Sequence, residues 1–187
     1  MRVIAGKAKG LKLNSPPGLD TRPTTDRIKE TLFNLLGQDM HGCRFLDLFS
    51  GSGGIGIEAL SRGAVLSIFV ENNPSALKVI KGNLSHSRLG EGAKIISRDV
   101  FVALDMLKGE APFDYIFMDP PYEIGLEEKV LEALSKSPMV NQDTIIIVEA
   151  ASSTDFAFIK DLNLKLVREK DYKSNKHIFL TQEERGA

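Results

Sequence analysis

The sequence predicts a doubly wound α/β fold, on three observations. Short apolar runs recur at Phe45–Phe49, Val65–Val70, Lys94–Ser97, Phe113–Met118 and Thr144–Val148. Helical patterns follow them at about 54–62, 73–85, 100–108, 124–135 and 154–160. Two β-like pieces, Lys165–Glu169 and His177–Leu180, close the chain. Strands that are apolar throughout and alternate with helices belong to a parallel sheet covered on both faces. Right-handed crossovers then give the doubly wound arrangement. The link Asp171–Lys176 is too short for a crossover helix, so the last two pieces are expected to form an antiparallel hairpin.

Composition narrows the function classes. The chain has 187 residues, 42% hydrophobic and 26% charged, which is ordinary for a globular domain able to bury a core without staples. Cys43 is its only cysteine, which excludes an intramolecular disulfide and a cysteine-based zinc cluster. His41, His86 and His177 are scattered and fit no ligand spacing, so no metal is expected and their roles read as surface or structural. No apolar run approaches the roughly 20 residues that span a bilayer. The opening MRVIAGKAKG lacks the apolar stretch of a signal peptide. A cytoplasmic protein with no membrane partner is expected.

The charge is unevenly spread. Residues 1–29 carry seven bases against two acids, a balance of +5, and the remainder carries −6. A basic segment on an acidic body is suited to a polyanion. Within it, residues 2–13 alternate apolar and basic positions around Gly6 and Gly10, which predicts a short β-hairpin. The turn-rich NSPPGLDTRPTT follows. Pro23, Thr24 and Thr25 then start a helix whose apolar face is Ile28, Leu32, Leu35 and Leu36, ended by Gly37. The expected organisation is a basic N-terminal extension over 1–24 and a catalytic domain over 25–187.

The first chemistry-bearing motif lies after the first strand, in FLDLFSGSGGIGIEALSRGA. Gly51, Gly53 and Gly54 let backbone N–H groups approach a ligand where side chains would collide, and the helix behind them adds partial positive charge. Gly51, Gly53 and Gly56 match a nucleotide-binding glycine pattern, with Glu71 twenty residues after Gly51. Glu71 ends the second strand, where a carboxylate can accept both hydroxyls of a ribose. Nicotinamide dinucleotides and S-adenosylmethionine (SAM) both carry such a ribose, so this motif alone does not separate them. Asp47, inside the strand, reads either as a satisfied core carboxylate or as a ligand group.

The second motif is Asp119-Pro120-Pro121-Tyr122, at the end of an apolar strand. Consecutive prolines fix φ and hold the preceding residue extended, at the strand edge where open α/β sheets bind ligands. The turn presents the Asp119 carboxylate and the Pro120 carbonyl as acceptors and Tyr122 as a stacking face. That set suits the exocyclic amine of a nucleobase. The amine's lone pair is delocalised into its ring, and holding the N–H groups against acceptors turns that pair towards an incoming methyl. A dehydrogenase has no use for such a turn, so the pair of motifs selects SAM.

These residues resemble a known family. DLFSGSG at 47–53 is similar to the first motif of class I SAM-dependent methyltransferases, and DPPY to the catalytic motif of amino methyltransferases. The segments RVIAGKAKGLKL and TRPTTDRIKETLFNLL resemble the bacterial 16S rRNA (guanine-N2)-methyltransferase family, the RsmD-like enzymes. The resemblance implies a Rossmann-like sheet of seven strands with the last antiparallel, and a guanine of 16S rRNA in the small ribosomal subunit or its assembly intermediate as substrate. It implies that Asp47, Ser50, Gly51, Ser52 and Gly53 line the methionine side of SAM, that Glu71 takes the ribose, and that Asn72 lies beside the adenine. Asp99 would meet the adenine amino group, though an acid there also suits the cap of the next helix. Phe101 beside it reads equally as a stacking or a core residue. Asp119, Pro120, Pro121 and Tyr122 would hold the target base. Arg2, Lys7, Lys9, Lys12, Arg22 and Arg27 would meet RNA, and Thr24, Thr25 and Asp26 would join them or cover the cofactor. A monomer is expected. YKSNKHIFL departs from the family's glycine-containing turn, with Lys173 and Ser174 in its place. The alternatives are a DNA adenine-N6 methyltransferase, for which only about 43 residues precede the first strand to read sequence, and a non-catalytic SAM- or RNA-binding protein, against which an intact DPPY speaks.

Overall fold

In the computed structural model, which describes residues 1–16, 25–37, 40–121 and 125–183, seven strands form one sheet in the order β3-β2-β1-β4-β5-β7-β6. The chain divides into two units, Met1–Arg98 and Asp99–Ala187.

In the first unit α1 (Asp26–Leu36) precedes β1 (Arg44–Leu48), α2 (Gly54–Ser61), β2 (Leu66–Val70), α3 (Pro74–Ser87) and β3 (Ala93–Ile96). Parallel pairing sets Asp47 beside Phe69 and Val70 beside Ile96. Thr25 caps α1, its hydroxyl accepting from Ile28 N–H, and Gly37 leaves the helix at φ 103°. Asn73 caps α3, with Pro74 at its first position. Phe33, Phe45, Leu46, Ile57, Ile68 and Ile80 are fully buried and form its core.

The expected N-terminal hairpin is present in abbreviated form. A single antiparallel bridge joins Arg2 to Lys12, and Val3 N–H donates to Leu11 O and Gly10 N–H to Val3 O. The hairpin is docked on α2. Gly6, at φ 78°, approaches so near that a Cβ there would overlap the Ser61 carbonyl. Lys7 N–H donates to that carbonyl and Ala8 N–H to the Ser61 hydroxyl.

In the second unit α4 (Val100–Met106), β4 (Tyr115–Met118), α5 (Leu126–Ser135), β5 (Ile145–Ala151), β6 (Leu164–Asp171) and β7 (Asn175–Gln182) follow in order. β4 and β5 are parallel, and β7 is antiparallel to both β5 and β6, as the short final link requires. Strand ends shift by one to two residues in β4, β6 and β7, and the larger differences lie at the 154–160 segment and in β5. The helical pattern at 154–160 is a 3-10 turn, Ala157–Asp161, started by the Asp155 carboxylate accepting from Ala157 N–H and closed by Leu162 N–H donating to Ile159 O. β5 continues three residues past Val148, because Glu149, Ala150 and Ala151 pair with β7.

Candidate active site

The glycine loop of the first unit is a strained turn held from below. Phe49 takes φ 60°, rare for a bulky side chain, and Gly51 and Gly53 follow at 53° and 75°. A Cβ on Gly51 would meet nothing nearer than 4.0 Å, so that glycine serves the backbone angle and leaves room above the loop. Gly56 is different. A Cβ there would lie 2.4 Å from the Phe69 ring and 2.6 Å from the Ser67 hydroxyl, so it lets α2 pack directly on β2.

The expected cofactor residues Asp47, Ser50, Gly51, Ser52, Gly53, Glu71 and Asn72 come together here. The Ser50 hydroxyl donates to Asp47 O and its N–H to Val70 O. Asp47 is buried and accepts from Gly56 N–H at 3.0 Å. Burial pushes its carboxyl up, the Gly56 bond opposes this and the Glu71 charge adds to it, leaving it at about 7. It therefore braces the start of α2 from beneath. Glu71 accepts from Gly51 N–H through one oxygen and from Asn72 and Asn73 N–H through the other. A carboxylate offers about four acceptor positions, so this side chain ties the loop to the end of β2 and keeps little spare capacity. Asn83, buried on α3, was not singled out by sequence. Its amide donates to Ser52 O and Asn14 O and accepts from Asn14 N–H, joining the loop to the N-terminal segment.

A second group missed by sequence lies behind the loop. Glu58 and Lys29 are fully buried, their side chains 3.2 Å apart. Arg62 donates to Glu58 at 2.8 Å, and Ile4 and Ala5 N–H donate to the same carboxylate. Lys29 also donates to Arg2 O at 2.7 Å. Burial lowers the Lys29 ammonium from its ordinary value while Glu58 holds it up. The network anchors the backbone of the hairpin, whose Val3 and Leu13 are buried, and leaves its basic side chains outside. Lys7, Lys9 and Lys12 are exposed, as is Arg27 on α1, and Arg2 pairs with Asp26 at 2.9 Å. Arg22 and Thr24 lie outside the described residues.

The second unit holds Asp99, Asp119, Pro120 and Pro121, while Tyr122 lies outside the described residues. Asp99 is exposed and caps α4, accepting from Phe101 N–H at 2.9 Å. Phe101 is 39% exposed rather than in the core. Asp119 leaves the C-terminal end of β4 half-buried, followed by buried Pro120 and exposed Pro121. Beside β4, His177, read from sequence as surface or structural, and Glu149, not singled out there, form a buried polar cluster with Asn175. Among the described residues no group of three or more His, Cys, Asp or Glu is placed to hold a metal ion, and no helix is long and apolar enough to cross a membrane.

A strand, a left-handed glycine loop, a helix and an acid closing the next strand, within a seven-stranded sheet whose last strand is antiparallel, define a class I SAM-dependent methyltransferase. Residues 1–181 match the family model described as "Conserved hypothetical protein 95". The chain belongs to that family, the RsmD-like methyltransferases. It is 43% identical over 150 residues to the Bacillus subtilis protein YlbH, to which an rRNA methyltransferase activity is attributed, covering 80% of this chain and 82% of that one. It is 35% identical over 171 residues to ribosomal RNA small subunit methyltransferase D of Haemophilus influenzae, covering 91% and 88%. Among solved structures it is similar to the Escherichia coli protein yhhF, at 32% identity and a TM-score of 0.80 over 98% of both chains.

Proposed function

We propose that this methyltransferase modifies the exocyclic N2 amine of a guanine in 16S rRNA, acting as a cytoplasmic monomer on the small ribosomal subunit or its assembly intermediate. The observation that carries the reading is Asp119-Pro120-Pro121 at the C-terminal end of β4, in a chain similar to a small-subunit rRNA methyltransferase over nearly its full length. SAM, when bound, supplies a methyl group on a sulfonium, a strong electrophile.

The chain's own residues then bind, orient and accept. Gly51, Ser52 and Gly53 present backbone to the methionine side above Ser50 and Asp47. Glu71 takes the ribose hydroxyls, yielding one of its three N–H partners to do so. Asn72 and Asp99 serve the adenine. Asp119 and the Pro120 carbonyl accept the two N–H groups of the target amine, and Tyr122 stacks on the base. Orientation of this kind is worth about 7–11 kcal/mol in the best intramolecular reactions. The base must leave its stack, which costs a few kcal/mol and is cheapest in a loop. Arg2, Lys7, Lys9, Lys12, Arg22 and Arg27 hold the RNA backbone.

The test is label transfer from tritiated SAM to naked 16S rRNA, small subunits and DNA in parallel, with nucleoside analysis. N2-methylguanosine in the RNA is expected. Label confined to N6-methyladenine in DNA overturns the reading. Asp119→Ala is expected to abolish transfer with SAM binding retained, and retained turnover removes Asp119 from the chemistry.

A further inference from the structure

In the first unit one amide side chain stands in an apolar stripe. The inner face of α3 carries Ala76, Leu77, Ile80, Asn83 and Leu84, all buried, and Asn83 is wholly so. Asparagine is a poor helix former, and burying its amide costs free energy unless its polar atoms are bonded. Three bonds meet that demand: the amide donates to Ser52 O at 2.9 Å and to Asn14 O at 3.0 Å, and its oxygen accepts from Asn14 N–H at 2.9 Å. Neither partner belongs to α3. Asn83 holds the glycine loop on one side and the N-terminal segment on the other.

Its partner in the loop is the carbonyl of the Ser52–Gly53 peptide. The N–H of that same peptide donates to Ser50 O at 2.7 Å, so both ends of the plane are held. Gly53 takes φ 75°. A glycine passes readily between positive and negative φ, which would let this peptide turn over at little cost. Asn83 keeps the carbonyl towards α3 and removes that freedom. Gly54, on the far side of Gly53, is tied to the same N-terminal segment. Lys29 donates to Arg2 O at 2.7 Å and to Gly54 O at 3.5 Å, and a Cβ on Gly54 would overlap the Met1 thioether. Leu13 N–H donates to Met1 O at 3.0 Å, closing the two ends of the hairpin on each other. The base of the hairpin thus grips both flanks of Gly53.

We infer that Asn83 is a positioning residue for SAM, and that through Asn14 the N-terminal segment is part of the cofactor site besides its proposed contact with RNA. This rests on the proposed placement of the methionine side of SAM on Gly51, Ser52 and Gly53, and deepens it. A loop whose peptide is fixed before the ligand arrives has lost its freedom during folding rather than during binding. Preorganisation of that kind is read as affinity. Asn83 acts on the shape of the loop and not on the reacting atoms, so its removal weakens cofactor binding more than it slows transfer from bound SAM.

The experiment compares the wild type with Asn83→Ala, Asn14→Pro and Leu77→Ala by calorimetry with SAM, by melting temperature, and by kcat and the KM for SAM. Asn83→Ala is expected to weaken SAM affinity about three- to tenfold, the worth of one hydrogen bond, and to raise KM for SAM more than it lowers kcat. Asn14→Pro removes the N–H that Asn83 accepts and leaves Asn83 in place. It is expected to weaken SAM affinity by a smaller factor. Leu77→Ala opens a cavity on the same buried face of α3 and spares the residues that Asn83 binds. It is expected to lower the melting temperature at least as far, with SAM affinity kept. Unchanged affinity in Asn83→Ala overturns the inference, and so does an equal loss of affinity in Leu77→Ala, which makes the effect one of stability alone. Full affinity in Asn14→Pro overturns the part given to the N-terminal segment. If Asn83→Ala does not fold, Asn83→Leu, which fills the volume and completes the apolar stripe, decides in its place: full SAM affinity there overturns the inference. Glu71→Ala keeps the two readings apart. If it also leaves SAM affinity unchanged, the placement of SAM on this loop fails. If it weakens SAM binding while Asn83→Ala does not, the role of Asn83 alone fails.

Discussion

Replacing Glu58 with Gln perturbs the first unit at its most concentrated point. Each carboxylate oxygen of Glu58 receives one cation and one backbone N–H: Lys29 and Ile4 on one side, Arg62 and Ala5 on the other. An amide can place its oxygen towards only one of these pairs. Its NH2 then faces two donors, and a buried ammonium or guanidinium is left without a counter-charge. Removing one partner of a buried ion pair costs about 3–5 kcal/mol. For a chain of this length that lowers the melting temperature by about 2–4 °C per kcal/mol, hence by about 6–20 °C. The deficit also depends on pH. Lys29 is already depressed by burial from the ordinary lysine value of 10.5, with Glu58 opposing, and loses that support in the variant. A depressed base binds fewer protons folded than unfolded. Its stability is full above about pH 10.5 and lost as pH falls through the depressed value. The Glu58→Gln deficit is therefore expected to be largest near pH 7 and to shrink towards about pH 10. Thermal melts and urea titrations of both proteins across that range read it. A loss below about 1 kcal/mol, or one that does not change with pH, refutes the assignment of Glu58 as the keystone of a buried charge network.

Three other outcomes follow from the same geometry. Asp47, raised to about 7 mainly by burial, binds more protons folded than unfolded between about pH 4 and 7, so wild-type stability falls as pH rises through that window. Asp47→Asn is expected to flatten this slope in urea titrations, and an unchanged slope removes Asp47 as its source. Glu71→Ala deletes the anchor of Gly51 together with the proposed ribose acceptor. Calorimetry is expected to show SAM affinity down about 10- to 100-fold, the worth of hydrogen bonds to a charged group, and unchanged affinity refutes the ribose assignment. Changing Lys7, Lys9 and Lys12 together to Glu touches exposed side chains on a docked backbone. RNA binding is expected to weaken and its salt dependence to flatten by about 0.7–0.9 for each phosphate no longer neutralised, with SAM affinity kept. Equal loss of SAM and RNA binding assigns the hairpin a folding role instead.

What the sequence made legible was local. An apolar run of five residues names its own strand, and a glycine triplet before a helix names its own loop. The element order, the final antiparallel hairpin and the clustering of Asp47, Ser50, Gly51 and Glu71 were therefore readable from residues near one another in the chain. Residues satisfied from far away were not. Lys29 counted only among the bases of the N-terminal segment and Glu58 was not singled out, because the N–H groups of Ile4 and Ala5 that fix Glu58 come from more than fifty positions earlier. Glu149 falls one residue beyond the expected strand Thr144–Val148, because a carboxylate after TIIIV looks like the return to solvent, yet its partners arrive 26 and 28 residues later on β7. Periodicity reports which face a residue occupies, not which donors wait there. A charged residue inside an apolar run is thus the one local sign that a distant strand brings hydrogen bonds to it, since burying a carboxylate without them costs more than a single domain can bear. Asp47 in FLDLF, Glu149 in IIIVEAA and His177 in NKHIFL all carry that sign.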